Sequence, residues 1–328
     1  WHSMALKANG TVYAWGWGQY GQLGNGYTTN RDDTDYYSYE KIYSAPVQVL
    51  NGAQTSETGY LKEVVQIDAM GGTGRGEKNR FGTSLAVTES KEVYGWGNSM
   101  YGALGVNASI VSTPVRVATG ISTAVQVAGG GKSGSDDYHV NSIGNTGYTY
   151  ILKEDGTVSS LGYNVNGELG NGANTSTTNV CTVQGLTNVA QIAGSKDGNF
   201  GAAVKKNGTI WTWGQNTYGQ LGNGSSVNSM LPVQVKSADG NSFLADIVQI
   251  SAGYVHSMAL KKDGTVWTWG RNDGGQLGNN NTSNKSLPVQ VKGGASGSEY
   301  LTDVVQVTAG NWHSMALKAN GTVYAWGW

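Results

Sequence analysis

Residues 1–328 predict an all-β chain, a β-propeller of four-stranded antiparallel blades. It holds about five repeats' worth of sequence, arranged as four full blades plus two partial terminal blades. Three observations predict it. One phrase of short, alternating pieces rich in β-branched and aromatic residues recurs along the chain. Asn-Gly or Asp-Gly punctuates that phrase at one place. All four prolines fall in one register of it.

The phrase is clearest as Ile247-Val248-Gln249-Ile250-Ser251-Ala252-Gly253, then His256-Ser257-Met258-Ala259-Leu260, then Asp263-Gly264 and Thr265-Val266-Trp267-Thr268-Trp269-Gly270. Gly275-Gln276-Leu277-Gly278 and Pro288-Val289-Gln290-Val291 follow. These are four strands, A to D, bounded by Gly, Asn or Pro. Between B and C, Asn9-Gly10, Asp155-Gly156, Asn207-Gly208, Asp263-Gly264 and Asn320-Gly321 read as two-residue hairpin turns needing positive φ at both central positions. The second repeat departs with Ser90-Lys91.

Strand C carries aromatics two apart, as in Trp211/Trp213 and Trp267/Trp269, so both rings share one face and pack sheet on sheet. Pro46, Pro114, Pro232 and Pro288 mark the start of strand D and make it the outer edge, because proline cannot donate to a ladder. The anchor column Trp15, Trp96, Leu161, Trp213, Trp269 and Trp326 has its widest gaps in the first two intervals, which therefore hold insertions. The repeat units run approximately 1–50, 60–118, 121–184, 186–236, 245–292 and 301–328, in a single propeller over 1–328.

Composition narrows the function. Charged residues are 13% and the formal net charge is −1. No Lys/Arg cluster offers a phosphate track, so nucleic acid is not an expected partner. No apolar run reaches the roughly 18 to 20 residues of a membrane span. A single cysteine, Cys181, excludes an intramolecular disulfide and a multi-cysteine metal site. Low charge with abundant Asn, Gly and Thr fits an extracellular or cell-surface bacterial setting, and a chain opening at Trp1 inside a repeat reads as part of something longer.

Residues 1–17 and 312–328 are identical, while the internal repeats differ at many positions. Strand A near Val304–Val307 could therefore complete the first B-C-D set, yet a second B-C pair follows it. Six sheets in an open or loosely closed ring, with the two terminal ones incomplete, accommodate both.

Candidate chemistry is sparse. The first strand-B position reads His2, Thr83, Tyr148, Phe200, His256 and His313, so its histidines are structural, half-buried and locally bonded. Cys181 aligns with Val115, Val233 and Val289, an inert packing position. Gly-Gln-Leu-Gly-Asn-Gly at 21–26 and 219–224 lacks the helix amino terminus a phosphate loop needs, and tight turns explain its glycines. Asp32, Asp33, Asp35, Asp136 and Asp137 match no calcium loop. No catalytic set, metal site or cofactor is expected, and the chain reads as a non-enzyme.

The recurring phrase resembles the regulator of chromosome condensation (alpha-tubulin-suppressor-like) repeat family in its bacterial form. The resemblance covers essentially the whole chain and implies a propeller, usually of seven blades. It also implies protein binding through a propeller face or, alternatively, guanine-nucleotide exchange on a small GTPase. The wedge and basic tail that serve exchange have no counterpart in this sequence.

Strand order places the binding face. In an A-B-C-D meander the A–B and C–D connections share one end of the sheet. The long insertions, at about 27–43, 70–80 and 130–146, are all connections of that kind on consecutive repeats. They carry Arg31, Asp32, Asp33, Asp35, Tyr36, Tyr37 and Tyr39, then Arg75, Lys78 and Arg80, then Asp136, Asp137, Tyr138 and His139. Tyrosine and arginine dominate binding hot spots. These loops are the expected site for a protein or glycan ligand, with the tyrosines of 36–43 as sugar-stacking platforms.

Overall fold

The computed structural model describes residues 2–28, 42–56, 58–71, 82–132, 146–294 and 299–328. The protein is an all-β chain of the β-propeller class, with six antiparallel sheets. The first sheet holds β1 (His2–Leu6), β2 (Val12–Trp17) and β3 (Ile42–Gln48). The second holds β4 (Val64–Gly71), β5 (Gly82–Thr88), β6 (Val93–Asn98) and β7 (Ile110–Val117). In the third are β8 (Ala124–Gly130), β9 (Tyr148–Lys153), β10 (Val158–Gly162) and β11 (Thr177–Thr182).

The fourth comprises β12 (Val189–Gly194), β13 (Phe200–Lys205), β14 (Ile210–Gly214) and β15 (Ser229–Gln234). Next come β16 (Ile247–Ala252), β17 (His256–Lys261), β18 (Val266–Gly270) and β19 (Lys285–Gln290). The last sheet has β20 (Val304–Ala309), β21 (His313–Lys318) and β22 (Val323–Gly327). Every sheet is a meander in chain order, so the terminal two are B-C-D and A-B-C sets of three strands. The chain forms two compact units, one of 1–154, 159–163 and 176–181, the other of 155–158, 164–175 and 182–328. The first three sheets belong to the first unit and the last three to the second.

Two local expectations are corrected. The B–C turns are longer than two residues: Gly10 N–H bonds Lys7 O at 2.9 Å, and of the dipeptide only the glycine has positive φ, 76°. The loop is thus a tight turn followed by a left-handed glycine bulge, which needs one such residue rather than two. Asn9 Oδ1 accepts from the Thr11 hydroxyl at 2.7 Å, and Asp155, Asn207 and Asp263 repeat this with Thr157, Thr209 and Thr265. Strand D begins upstream of its proline, so Pro46, Pro114, Pro232 and Pro288 lie inside β3, β7, β15 and β19. Each of these strands slips register against strand C near its proline, where a missing N–H costs no ladder bond.

Polar stitches join successive sheets within each unit. At one end, anchor indoles donate to the carbonyl of the preceding Gly-Gln-Leu-Gly loop: Trp96 to Gln22 O at 2.9 Å, Trp269 to Gln220 O at 2.8 Å and Trp326 to Gln276 O at 3.0 Å. The hydroxyls of Ser84, Ser257 and Ser314 donate to the same three carbonyls. The glycines make tight turns as expected, and the turn also serves as an acceptor for the next sheet. Where Leu161 replaces the indole in the third sheet, the Thr149 hydroxyl alone donates, to Ala103 O at 2.7 Å.

Along the strand-A edge, a glutamine grips the main chain of the next strand A. Gln66 pairs both amide atoms with Val127, and Gln249 does so with Val307. Asp68 and Ser251 add an acceptor each for Gly129 N–H and Ala309 N–H. Edge strands with open N–H and C=O groups invite unwanted pairing, and these side chains occupy them. At the opposite end the B–C glycine carbonyls accept from the start of the next strand A, as in Gly10 O with Val64 N–H and Gly264 O with Val304 N–H.

Apolar cores lie between the same sheets. Val12, Ala14, Leu23, Val64 and Trp96 pack between the first two, and Met258, Leu260, Val266, Val304 and Val307 between the last two.

Candidate interaction surface

The loop end of the second unit is built by buried asparagines two residues past strand C. Asn272 donates Nδ2–H to Asn281 O at 2.8 Å and Ser283 O at 3.2 Å, and its Oδ1 accepts from Leu277 N–H. Asn216 and Asn164 hold their loops in the same way. Each of these three C–D loops is thereby pinned to its strand C, and the residue between the strand-C glycine and this asparagine is half-buried at Gln215 and Arg271 but buried at Tyr163. Gly270 must be glycine here: with φ at +104°, a Cβ would meet Val255 O at 2.6 Å.

Arg271 occupies that position in the fifth sheet. Its guanidinium lies 4.9 Å from the Tyr218 ring centroid and 4.6 Å from that of Trp312, cation–π stacking on both. Asp273 takes Arg271 Nε–H at 2.8 Å and a second bond from Nη2, so the guanidinium is oriented by a fork as well as by rings. That hydrogen bond holds the Asp273 carboxyl below its ordinary range. Trp312 also packs on Tyr254 at 5.1 Å and, edge-on, on Trp328 at 5.9 Å. Tyr218, Tyr254, Arg271 and Trp312 are half-buried and Trp328 is 74% exposed. These residues come from C–D and A–B connections, which share one end of the sheets.

Two of the column histidines bond the next sheet, whereas the sequence suggests local bonding. His256 is fully buried and its Nε2 bonds Ser314 Oγ at 3.0 Å on the next sheet, as His2 does with Ser84 at 2.8 Å. Burial pulls His256 down to about 4. Glu168 stands where three other loops carry Gln22, Gln220 and Gln276; its carboxylate accepts from Asn166 N–H and Nδ2–H, and burial pushes it up to about 7. Cys181 lies half-exposed in β11. Among the described residues no group of three or more His, Cys, Asp or Glu could hold a metal ion. No helix there is long and apolar enough to cross a membrane.

The expected binding residues Arg31, Asp32, Asp33, Asp35, Tyr36, Tyr37, Tyr39, Arg75, Lys78, Arg80, Asp136, Asp137, Tyr138 and His139 lie outside the described residues. Their anchor points are described. Trp17 pairs with Ile42, Gly71 with Gly82 and Gly130 with Tyr148, each at the A–B/C–D end of its own sheet.

Repeat sequence and fold now bear on ancestry together. The Regulator of chromosome condensation (RCC1) repeat matches residues 9–69, 91–133, 207–260 and 263–317. The chain belongs to this family. It is 29% identical over 99% of its length to the Ultraviolet-B receptor UVR8 of Arabidopsis thaliana, of which it spans 63%. To the E3 ubiquitin-protein ligase HERC2 of Homo sapiens it is 30% identical over 88% of its length, covering 5% of that protein. It is thus equivalent to a part of these relatives. Among solved structures, human WBSCR16 matches at a TM-score of 0.72 and 18% identity, over 97% of this chain and 74% of that one. Prp20p of Saccharomyces cerevisiae, whose binding to Gsp1p and histones has been described, matches at 0.71 and 24%, over 99% and 69%. These two likenesses establish a shared fold.

The RCC1-repeat surface that sequence reasoning missed is the one around Arg271. It sits in loops of ordinary length, whereas the sequence pattern points to the insertions. A signal was available: the residue after the strand-C glycine reads Trp17, Asn98, Tyr163, Gln215, Arg271 and Trp328, a variable position inside a regular phrase.

Proposed function

We propose that this RCC1-repeat chain is a non-catalytic protein-interaction module that binds through the A–B and C–D loop end of its blades. The stack of Arg271 between Tyr218 and Trp312 carries the reading. Large aromatic and arginine side chains held in place before binding lose little entropy on contact, which is why Trp, Tyr and Arg dominate hot spots. Loops on a rigid scaffold are the usual place for such groups. The insertions at about 27–43, 70–80 and 130–146 share the tyrosine and arginine content of this surface, and such content suits a protein partner.

The test is affinity capture with crosslinking mass spectrometry, comparing the parent chain with Tyr218→Ala/Arg271→Ala and with Tyr36→Ala/Tyr37→Ala/Tyr138→Ala. Partners lost from the variants at unchanged melting temperature support the surface; an identical partner set from all three chains rejects it. Accelerated nucleotide release from a small GTPase by the parent chain would favour the exchange reading instead.

A further inference from the structure

Strands β12, β16 and β20 lie side by side in the second unit, clasped by glutamines. Gln191 pairs both amide atoms with the main chain of Ile250, and Gln249 does so with Val307. Each of the three strands slips register against its strand B, between Val189 and Gln191, Ile247 and Gln249, and Val304 and Gln306. The residue at the slip, Ala190, Val248 or Val305, is exposed. Val248 is 53% and Val305 55% exposed, and Val65, at the same place in the first unit, is 52% exposed, so the exposure belongs to the bulge and recurs from sheet to sheet. A single exposed valine is ordinary. Here three apolar side chains line one groove of about 640 Å³, a size within the roughly 300–1,000 Å³ of ligand sites.

One end of the groove is charged. Lys205 and Lys206, from the turn after β13, line it, and among the described residues no acidic side chain does. The other turns show what is missing. Asp246 and Asp303 precede β16 and β20 at φ of 62° and 60°, and pair with Lys261 and Lys318, the counterparts of Lys205, at 4.0 and 3.5 Å. Asn188 holds that place before β12, at φ 55°, and brings no charge. Lys205 lies instead over the Trp211 ring, 4.7 Å from its centroid, and the exposed Lys206 makes no ion pair among the described residues.

We propose that this groove docks an extended acidic segment of a protein partner, its apolar side chains resting on Ala190, Val248 and Val305 and its carboxylates meeting Lys205 and Lys206. The glutamines already occupy main-chain groups of β16 and β20, so the guest is read through its side chains and adds no strand. The two unneutralised lysines select the sign of the guest and orient it, and the bulge residues supply apolar contact. Lys205 and Lys206 sit at a B–C turn, the end of the sheet opposite the Arg271 loops. The groove therefore stands or falls independently of that surface.

The test is fluorescence anisotropy with a labelled peptide of alternating glutamate and leucine as the probe. The parent chain should bind it, more weakly as salt rises, and should not bind a lysine–leucine peptide of the same length. Lys206→Glu should weaken binding by about tenfold, because it sets like charge against the probe, and Val248→Ser by roughly threefold. Both positions are exposed, and unchanged melting temperatures verify that the fold is kept. Tyr218→Ala/Arg271→Ala should bind the probe as the parent does. The proposal is overturned by a parent chain that does not bind, by equal binding of the lysine–leucine peptide, or by binding that Lys206→Glu and Val248→Ser leave untouched. Loss of binding in Tyr218→Ala/Arg271→Ala also overturns it, since the probe would then be held at the loop end.

Discussion

The hairpins β1–β2 and β21–β22 hold one sequence in two surroundings. Their internal registers agree residue for residue, His2 opposite Gly16 and His313 opposite Gly327. Their burial does not. Val12 is fully buried while Val323 is 56% exposed, and Ser314 is buried while Ser3 is exposed. His2 of the first hairpin bonds Ser84 of the sheet after it, whereas the Trp326 indole of the second donates to Gln276 O of the sheet before it. Strand pairing and turn shape are thus local properties of the repeat, whereas core burial is conferred by the neighbouring sheet. Repeat proteins owe their cooperativity to that second contribution.

The largest way to sharpen the contrast is acidification. His256 is buried because its sheet is followed by another, and its folded-state pKa of about 4 lies below the ordinary 6.5. As pH falls, the unfolded chain takes up the proton first. Stability from this residue is therefore whole above about pH 6.5, is lost between 6.5 and 4, and amounts to about 3 kcal/mol. His256→Phe, the residue found at position 200, should flatten that part of the profile in urea titrations at pH 7 and pH 4. Glu168, raised to about 7, slopes the opposite way, stabilising below its unfolded value and losing that stability as pH rises through 7. The difference between parent and His256→Phe removes its contribution. An unchanged difference across the window would show that His256 takes up its proton at the same pH in the folded and unfolded states.

A smaller and more direct comparison makes one substitution in each hairpin. Val12→Ala should cost about 2 kcal/mol, the transfer and cavity cost of a buried valine. Val323→Ala should change stability by less than about 0.5 kcal/mol. Equal costs by denaturant titration would break the claim that the neighbour decides. The smallest effect concerns the turn itself. Lys91 sits at φ 60°, in the place glycine holds in the other B–C turns. Lys91→Gly should stabilise the fold by somewhat under about 1 kcal/mol and so raise the melting midpoint, because glycine relieves the left-handed strain. The Lys91–Glu154 ion pair it forfeits is largely exposed and adds little.

Strand identity was legible in the sequence because it depends on alternation and on turn residues within a few positions. The anchor tryptophans were legible as packing residues for the same reason: a large ring repeated on one strand face has to be covered. The glutamine of strand A was not. In an alternating strand a polar residue reads as solvent-facing, and only the placement of the next strand A shows that Gln66 and Gln249 close its open edge. The Arg271 surface escaped for a related reason. Tyr218, Tyr254, Arg271 and Trp312 are 17 to 94 positions apart in the numbering and each is unremarkable in its own loop.

By itself the sequence determined the repeat, the four strand types, the glycine at every B–C turn but the second, the family and the absence of a recognisable reaction motif, since all of these are carried by short-range pattern. Tertiary structure decided how deeply each of two identical hairpins is buried. It also decided which carbonyl receives each indole and which aromatic rings meet around an arginine. Those outcomes depend on what a neighbouring sheet brings to within hydrogen-bond or van der Waals reach, and identical residues cannot encode different neighbours.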